Sequence, residues 1–223
     1  MNTVKITFFL IFLWSINETS AQASDTGGWF AYTGSQSFYQ KWNWHNEVQY
    51  RNYNLAGDLQ QLLLRTGIGY DLSENNNNVL LGYAYVLSEN YIEDTDEKFD
   101  FVEHRVFQQF ITKQNFNRLF LQHRYRLEER FFSDDYKTRF RYAFMLTVPM
   151  NSKVLDKNTF YTVFSDELFL GIQKEPFDQN RLYGGIGYFI TKSLKIETGF
   201  MRQNTSGKNR NQFQISFFNT LPL

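Results

Sequence analysis

Hydrophobicity alternates with a period of two residues along most of the chain, and this pattern restricts the fold to β-structure. In the segment 41–51 the even positions are mostly apolar and the odd positions are polar. The segment 119–131 places arginine, glutamate and glutamine on one face and leucine and aromatic residues on the other. Because successive side chains of a strand point to opposite faces, these segments predict a sheet with one polar and one apolar face.

Eleven segments are predicted to be strands, and neither a helical period nor a linker separates them. They are 29–36, 41–51, 60–71, 79–87, 99–112, 119–131, 139–148, 159–173, 180–190, 194–203 and 211–221. The connections alternate between short turns and longer polar loops such as 88–100, as in outer-membrane barrels, with the nine-residue segment 150–158 as the exception. The fold class predicted is all-β, a single antiparallel up-and-down barrel of about 10–12 strands. Since bacterial single-chain barrels have even strand numbers, either 29–36 lies outside the wall or a loop holds a twelfth strand.

The alternation by itself fits a soluble barrel with an apolar interior as well as a membrane barrel with a polar interior. Bulky aromatic side chains on nearly every strand would overfill a closed interior, whereas lipid accepts them without limit. Tyrosine and tryptophan also lie near the ends of the predicted strands, which is typical of the aromatic girdles at membrane interfaces. These features favour a transmembrane barrel of the outer-membrane type, in contact with outer-membrane lipid.

The polar face is then the lumen, where arginine, glutamate and glutamine occur in near balance and can pair with one another. The predicted lumen network consists of Glu47, Arg51, Arg65, Gln122, Arg124, Arg126, Glu128, Arg139, Arg141, Glu167 and Arg181. Side chains should fill most of a barrel with so few strands. The sequence therefore predicts a structural barrel or a narrow pore for solutes or ions.

Residues 1–23 have the three-part layout of a secretory signal, with a basic start, an apolar run over 6–16 and a small polar end. The apolar run is too short for a spanning helix, which needs roughly 20 residues. We therefore predict a cleaved signal peptide over 1–23 and a barrel domain over 24–223. The predicted location is the outer membrane, and the alternative is the periplasm.

Composition excludes several other classes of protein. The 23 basic residues equal the 23 acidic residues in number, so the chain has no electrostatic footprint for nucleic acid. The absence of cysteine removes disulfides, thiolate zinc sites and cysteine nucleophiles. No other grouping of residues has metal-ligand spacing, and neither a metal nor a cofactor is predicted.

Two alternative functions remain open. A barrel enzyme acting on lipid or peptide would have His45 and Glu47 as its candidate catalytic residues, since they are two positions apart on one polar face. No nucleophile elbow accompanies them, and a structural histidine in a lumen hydrogen-bond network is the simpler interpretation, so no enzyme is predicted. The other alternative is a soluble periplasmic barrel that binds a ligand.

Six short motifs resemble an uncharacterised family, the domain-of-unknown-function 2490 family of Bacteroidetes-type Gram-negative bacteria. The motifs are EVQYR at 47–51, RTGIGY at 65–70, EHRVFQQ at 103–109, HRYRLEERF at 123–131, ELFL at 167–170 and NRLYGGIGY at 180–188. Their order, rather than any one of them, carries the similarity, which extends over nearly the whole mature chain. The resemblance implies an outer-membrane-type barrel and supplies no activity. The ending Leu221-Pro-Leu223 departs from the terminal aromatic residue that is usual in outer-membrane barrels.

Overall fold

The alternating segments form eleven strands that join into one closed barrel in a computed structural model, which describes residues 26–74, 76–93, 95–173, 176–207 and 209–221. The strands are β1 (Thr26–Tyr39), β2 (Trp42–Asn52), β3 (Leu59–Asp71), β4 (Asn77–Tyr91), β5 (Lys98–Phe116), β6 (Leu119–Phe131), β7 (Tyr136–Pro149), β8 (Phe160–Gly171), β9 (Phe177–Phe189), β10 (Leu194–Thr205) and β11 (Asn209–Asn219). The all-β barrel class is confirmed. Among the described residues, no helix is long and apolar enough to cross a membrane. The predicted signal peptide lies outside these residues.

The closure of the barrel differs from the prediction. Each strand pairs antiparallel with its neighbour in sequence, but β1 pairs with β11 in parallel, with Trp29 opposite Gln214. An odd number of strands makes the first and last strands run in the same direction, so only a parallel pair can close the wall. The segment 29–36 is therefore part of the wall, and no twelfth strand is present among the described residues. The seam is the shortest pairing of the barrel, with nine residue pairs.

Successive connections lie at alternate openings of the barrel. We name each opening after the end of the described chain that lies there. The N-terminal mouth is the end at Thr26, with loops 53–58, 92–97, 132–135, 172–176 and 206–208. The C-terminal mouth is the end at Asn219, with turns 40–41, 72–76, 117–118, 150–159 and 190–193. The predicted contrast between long loops and short turns is weak, because β4 and β5 extend through most of the polar segment 88–100 and leave a loop of six residues between them. The longest connection, 150–159, lies at the C-terminal mouth.

Burial is inverted relative to a soluble domain. Charged side chains such as Arg126 and Glu128 are at most 2% exposed, whereas Leu81 is 60% exposed and Phe200 is 64% exposed. The large apolar side chains that face outward from the wall include Phe30, Trp44, Val48, Tyr50, Leu64, Ile68, Leu81, Tyr125, Phe164, Leu182, Ile186, Phe200 and Phe217. The polar face of each strand therefore turns inward and the apolar face turns outward.

The interior also contains apolar side chains that the alternation does not single out. Trp29, Tyr161, Val163, Tyr183 and Met201 form a buried cluster contributed by β1, β8, β9 and β10. Tyr161 donates a hydrogen bond to Glu197 at 3.0 Å, so the cluster includes a polar contact. The lumen is thus divided into an aromatic side near the seam and a charged side formed mainly by β2 to β8.

Candidate functional site

The inward positions of neighbouring strands bring arginines and carboxylates together in three groups of ion pairs, around Glu128 and Glu167, around Glu103 and around Glu47. Glu128 on β6 is at the centre, fully buried. Its carboxylate accepts hydrogen bonds from Arg139 Nη2 and Arg141 Nη1, each at 2.6 Å, and Arg126 Nη1 lies 3.6 Å away. One buried carboxylate is therefore shared among three guanidinium groups from two adjacent strands.

Glu167 on β8 extends the set across β7. Its Oε1 accepts hydrogen bonds at 2.6 Å from both Arg124 Nη2 and Arg141 Nη2. Arg141 therefore bridges Glu128 and Glu167 and ties β6, β7 and β8 to one another inside the wall. Because charge-assisted hydrogen bonds are about twice as strong as neutral ones, this bridge restricts how these strands can move relative to each other.

Two further carboxylates belong to β5 and β2. Glu103 on β5 accepts two hydrogen bonds from Arg105, at 2.6 and 2.8 Å, and also pairs with Arg130 Nε at 2.5 Å. Glu47 on β2 pairs with Arg65 Nη1 at 2.5 Å. Each carboxylate of the set therefore binds at least one guanidinium group.

Arg51 and Arg181 differ from the seven arginines described above because no carboxylate of the described residues lies within ion-pair distance of either. Arg51 stacks on Trp29, with its guanidinium carbon 3.6 Å from the ring centroid, and donates to Gln49 Oε1 at 2.5 Å. Arg181 lies over Phe169 at 4.7 Å and over Trp29 at 5.1 Å. When its amide group is oriented with the nitrogen toward Gln203, the side-chain oxygen of Gln179 accepts two hydrogen bonds from Arg181, each at 2.9 Å.

The charges of the lumen depart from the expected balance. We call the following nine arginines and five carboxylates of the described lumen the arginine network: Arg51, Arg65, Arg105, Arg124, Arg126, Arg130, Arg139, Arg141, Arg181, Glu47, Glu103, Glu128, Glu167 and Asp178. Asp178 pairs with Arg139 at 2.7 Å. The zero net charge of the chain therefore conceals an interior with more positive than negative groups.

A polar cavity of about 210 Å³ opens within the arginine network, in the half of the lumen toward the N-terminal mouth. Its charged lining consists of Arg51, Arg65, Arg105, Arg130, Arg139, Arg141, Arg181, Glu103 and Asp178. We call it the arginine cavity. A larger open depression of about 590 Å³ at the same mouth shares Arg130, Arg139 and Asp178 with it. The arginine cavity therefore has its polar lining close to an opening of the barrel.

Charged and polar groups at the N-terminal mouth lie beside these cavities. A hydrogen bond from Lys137 lowers the pKa of Asp135, so this loop carboxylate stays ionised at neutral pH. Burial raises the pKa of Tyr53, whose neutral hydroxyl donates to the backbone oxygen of Glu89 at 3.0 Å. The mouth near β6 and β7 thus carries a neighbouring pair of opposite charges.

The candidate catalytic pair lies inside the lumen, in the half toward the C-terminal mouth. His45 Nε2 is 3.4 Å from Glu47 Oε2, and Ser35 is the register partner of His45 on β1. No hydrogen bond joins Ser35 to His45 among the described residues. Glu47 is held by Arg65 and also accepts a hydrogen bond from Gln49. The geometry therefore makes His45 one member of a hydrogen-bonded lumen group around Glu47.

Every residue of the predicted lumen network but one makes a side-chain contact with another lumen residue. Gln122 is half-buried on the inward face of β6, and it makes no side-chain hydrogen bond within the described part of the chain. The prediction omitted Glu103, Arg105, Arg130 and Asp178, although Glu103, Arg105 and Arg130 occupy alternate strand positions as lumen residues should. Asp178 lies where the pairing of β9 with β8 shifts register, so only its ion pair with Arg139 shows that it reaches the lumen.

The described residues contain no group of three or more histidine, cysteine, aspartate or glutamate side chains that could hold a metal ion. Fold and site together define a class of protein: a closed, eleven-stranded β-barrel with a charged interior and an apolar exterior. Within that class, the chain belongs to the family described as protein of unknown function (DUF2490), whose model matches residues 26–214. This match confirms the family resemblance seen in the motifs. No curated protein and no solved structure matches the chain.

Proposed function

We propose that this protein is an outer-membrane β-barrel, exported by its signal peptide, whose lumen is closed to sugar-sized solutes by the arginine network. The observation that carries the proposal is the inverted burial. Leucine, isoleucine and phenylalanine form the outer surface, while arginine and glutamate are buried. Exposing so many apolar side chains to water would be unfavourable at roughly 25 cal/mol per Å² of apolar surface, whereas a lipid environment removes that penalty.

Hydrogen bonds between outward polar side chains support a hydrocarbon environment. Tyr83 and His104 make a hydrogen bond of 2.5 Å, and His123 and Tyr142 make one of 2.8 Å. In water such groups bind solvent, but in hydrocarbon an unpaired polar group costs several kcal/mol. Pairing on the outer face is therefore what a membrane barrel requires.

Aromatic pairs near the strand ends support the same proposal. Trp42 packs against Tyr70 at a ring-centroid distance of 4.9 Å near the C-terminal mouth. Phe131 packs against Tyr136 at 5.2 Å near the N-terminal mouth. Amphipathic rings at both ends of the wall match the two girdles of a membrane barrel.

One outward carboxylate interrupts the apolar surface. Asp166, near the middle of β8, lies on the outer face and accepts a hydrogen bond from Asn180 at 2.5 Å. In a membrane barrel, a carboxylate at mid-depth is less costly than arginine or lysine, and a hydrogen-bond donor reduces the penalty further. The proposal therefore requires Asp166 to keep its Asn180 partner or to be protonated in lipid.

The lumen is filled to a degree that favours a closed or very narrow barrel. Phe107 projects inward from β5 and is 1% exposed, between Arg65 and Arg126. On the opposite side, Phe169 contacts Arg141 at 4.3 Å. Rings and guanidinium groups alternate across the interior, so we infer passage of small ions at most.

Fractionation of a Gram-negative host that expresses the full chain tests the location. We expect the protein in the outer-membrane fraction, extractable only with detergent, and migrating differently on gels before and after heating. A monomer recovered from the periplasm in buffer without detergent would refute the membrane assignment. Liposome swelling then tests the closed lumen, and uptake of sugars by vesicles containing the barrel would refute that part.

A further inference from the structure

The arginine cavity holds two guanidinium groups, those of Arg51 and Arg181, that no carboxylate of the described residues contacts within ion-pair distance. Arg51 is 7% exposed, and its Nε has no hydrogen-bond partner among the described residues. Arg181 faces the same cavity and contacts two aromatic rings and the Gln179 amide, while Glu167, its register partner on β8, lies beyond ion-pair distance and binds Arg124 and Arg141. Burying a charge without a counter-charge in contact is costly, and an aromatic ring recovers only part of that cost.

The five carboxylates of the arginine network form no ion pair with Arg51 or Arg181, because each binds other guanidinium groups. Glu103 is shared by Arg105 and Arg130. Asp178, which also lines the cavity, is engaged by Arg139 at 2.7 Å. A group bearing negative charge in the cavity would therefore complete the network rather than compete with it.

The size and chemistry of the cavity limit what this group can be. A volume of about 210 Å³ lies below the roughly 300–1,000 Å³ of typical small-molecule pockets, so the cavity suits a small ligand. Guanidinium groups present forked pairs of N–H donors that match the oxygens of phosphate or carboxylate. Several forks around one small cavity favour an oxyanion with more than one charge and several oxygens.

We propose that the arginine cavity is a binding site for a small phosphate-class oxyanion, held between Arg51 and Arg181 and entering from the N-terminal mouth. The open depression that shares Arg130 and Arg139 with the cavity provides the approach, and its positive groups attract the anion. The site depends on the lumen alone, so it goes beyond the proposed membrane location and is independent of it. A free phosphate and the phosphate of a lipid headgroup present the same chemistry to these arginines.

Isothermal titration calorimetry of the folded barrel, in a phosphate-free sugar detergent at constant ionic strength, tests the proposal. Inorganic phosphate is titrated into the protein in a buffer that contains chloride. Because the ionic strength stays constant, charge screening alone gives no saturable heat. We expect saturable binding that weakens about tenfold or more in Arg51→Gln and in Arg181→Gln, because each loses a charge-assisted hydrogen bond. The matched control is Arg202→Gln, since Arg202 is exposed on the outer face and, within the described part of the chain, its side chain bonds only to Asn204, at 3.1 Å.

Heat-modifiable gel migration establishes that each variant is folded, and Arg51→Lys replaces Arg51→Gln if the latter does not fold. Lysine keeps the charge but loses the fork, so weaker phosphate binding in Arg51→Lys supports the guanidinium geometry. A second titration with a short-chain phosphatidate separates the sources. Binding of inorganic phosphate would identify the ligand as a soluble anion. Binding of phosphatidate but not of inorganic phosphate, lost in the Arg51 and Arg181 variants, would identify the ligand as a lipid headgroup. Absence of saturable binding by both, or equal binding in the lumen variants and Arg202→Gln, overturns the proposal.

Discussion

Neutralising Glu128 tests whether the arginine network stabilises the barrel. This carboxylate is fully buried and accepts hydrogen bonds from Arg139 at 2.6 and 3.1 Å and from Arg141 at 2.6 Å. Glu128→Gln keeps the shape of the side chain and removes its charge. The new amide also turns N–H groups toward guanidinium N–H groups, so at least one donor loses its acceptor.

The expected loss follows from what remains after the substitution. A hydrogen bond to a charged group contributes about 1.5–3 kcal/mol, and removing one partner of a buried pair costs about 3–5 kcal/mol. Arg139 retains Asp178 and Arg141 retains Glu167, so the three contacts do not add in full. We therefore expect the free energy of unfolding to fall by about 3 kcal/mol.

Urea unfolding of the barrel refolded into phospholipid vesicles, followed by tryptophan fluorescence, measures this loss. The matched control is Glu129→Gln, since Glu129 is the next residue on β6, faces outward and forms no ion pair in the described part of the chain. We expect the control to change the free energy of unfolding by less than about 0.5 kcal/mol. Equal effects of the two substitutions would refute the stabilising role of the network.

Two other substitutions test packing and surroundings. Gly82→Ala places a methyl group against the ring of Phe107 inside the lumen, so we expect the free energy of unfolding in urea to fall by about 1–3 kcal/mol. The control is Gly184→Ala, whose methyl group enters open space. Equal losses in the two variants would contradict this packing. Leu64→Arg puts a charge on the outer face near the middle of β3, and if lipid surrounds the wall we expect about 2–4 kcal/mol of destabilisation in vesicles. Leu55→Arg, in an exposed loop, is the control for added charge, and a harmless Leu64→Arg would indicate water outside the barrel.

The strands could be predicted because the polarity of each residue indicates whether its side chain points inward or outward. Trp44 and Glu47 occupy opposite faces of β2, and their polarity alone assigns them. The outer ends of the strands could not be predicted in this way. β4 continues to Tyr91 and β5 begins at Lys98, where both faces meet water and backbone pairing, not polarity, maintains the strands.

Closure and charge excess are properties of the assembled wall. The pairing of Trp29 with Gln214 joins residues at opposite ends of the chain, and no local pattern identifies such a partner. The same holds for Arg51 and Arg181, which the alternation places in the lumen without showing whether a carboxylate pairs with them. That neither forms an ion pair among the described residues depends on how the side chains of neighbouring strands meet inside the barrel, and therefore becomes visible only in three dimensions.

The parallel seam also determines where the chain leaves the barrel. A barrel with an even number of strands returns both ends of its chain to one side. Here the chain crosses the wall eleven times, so Thr26 and Asn219 emerge at opposite mouths. If the barrel spans a membrane, its two ends face different compartments, and one protein can then be labelled from either side through its own termini.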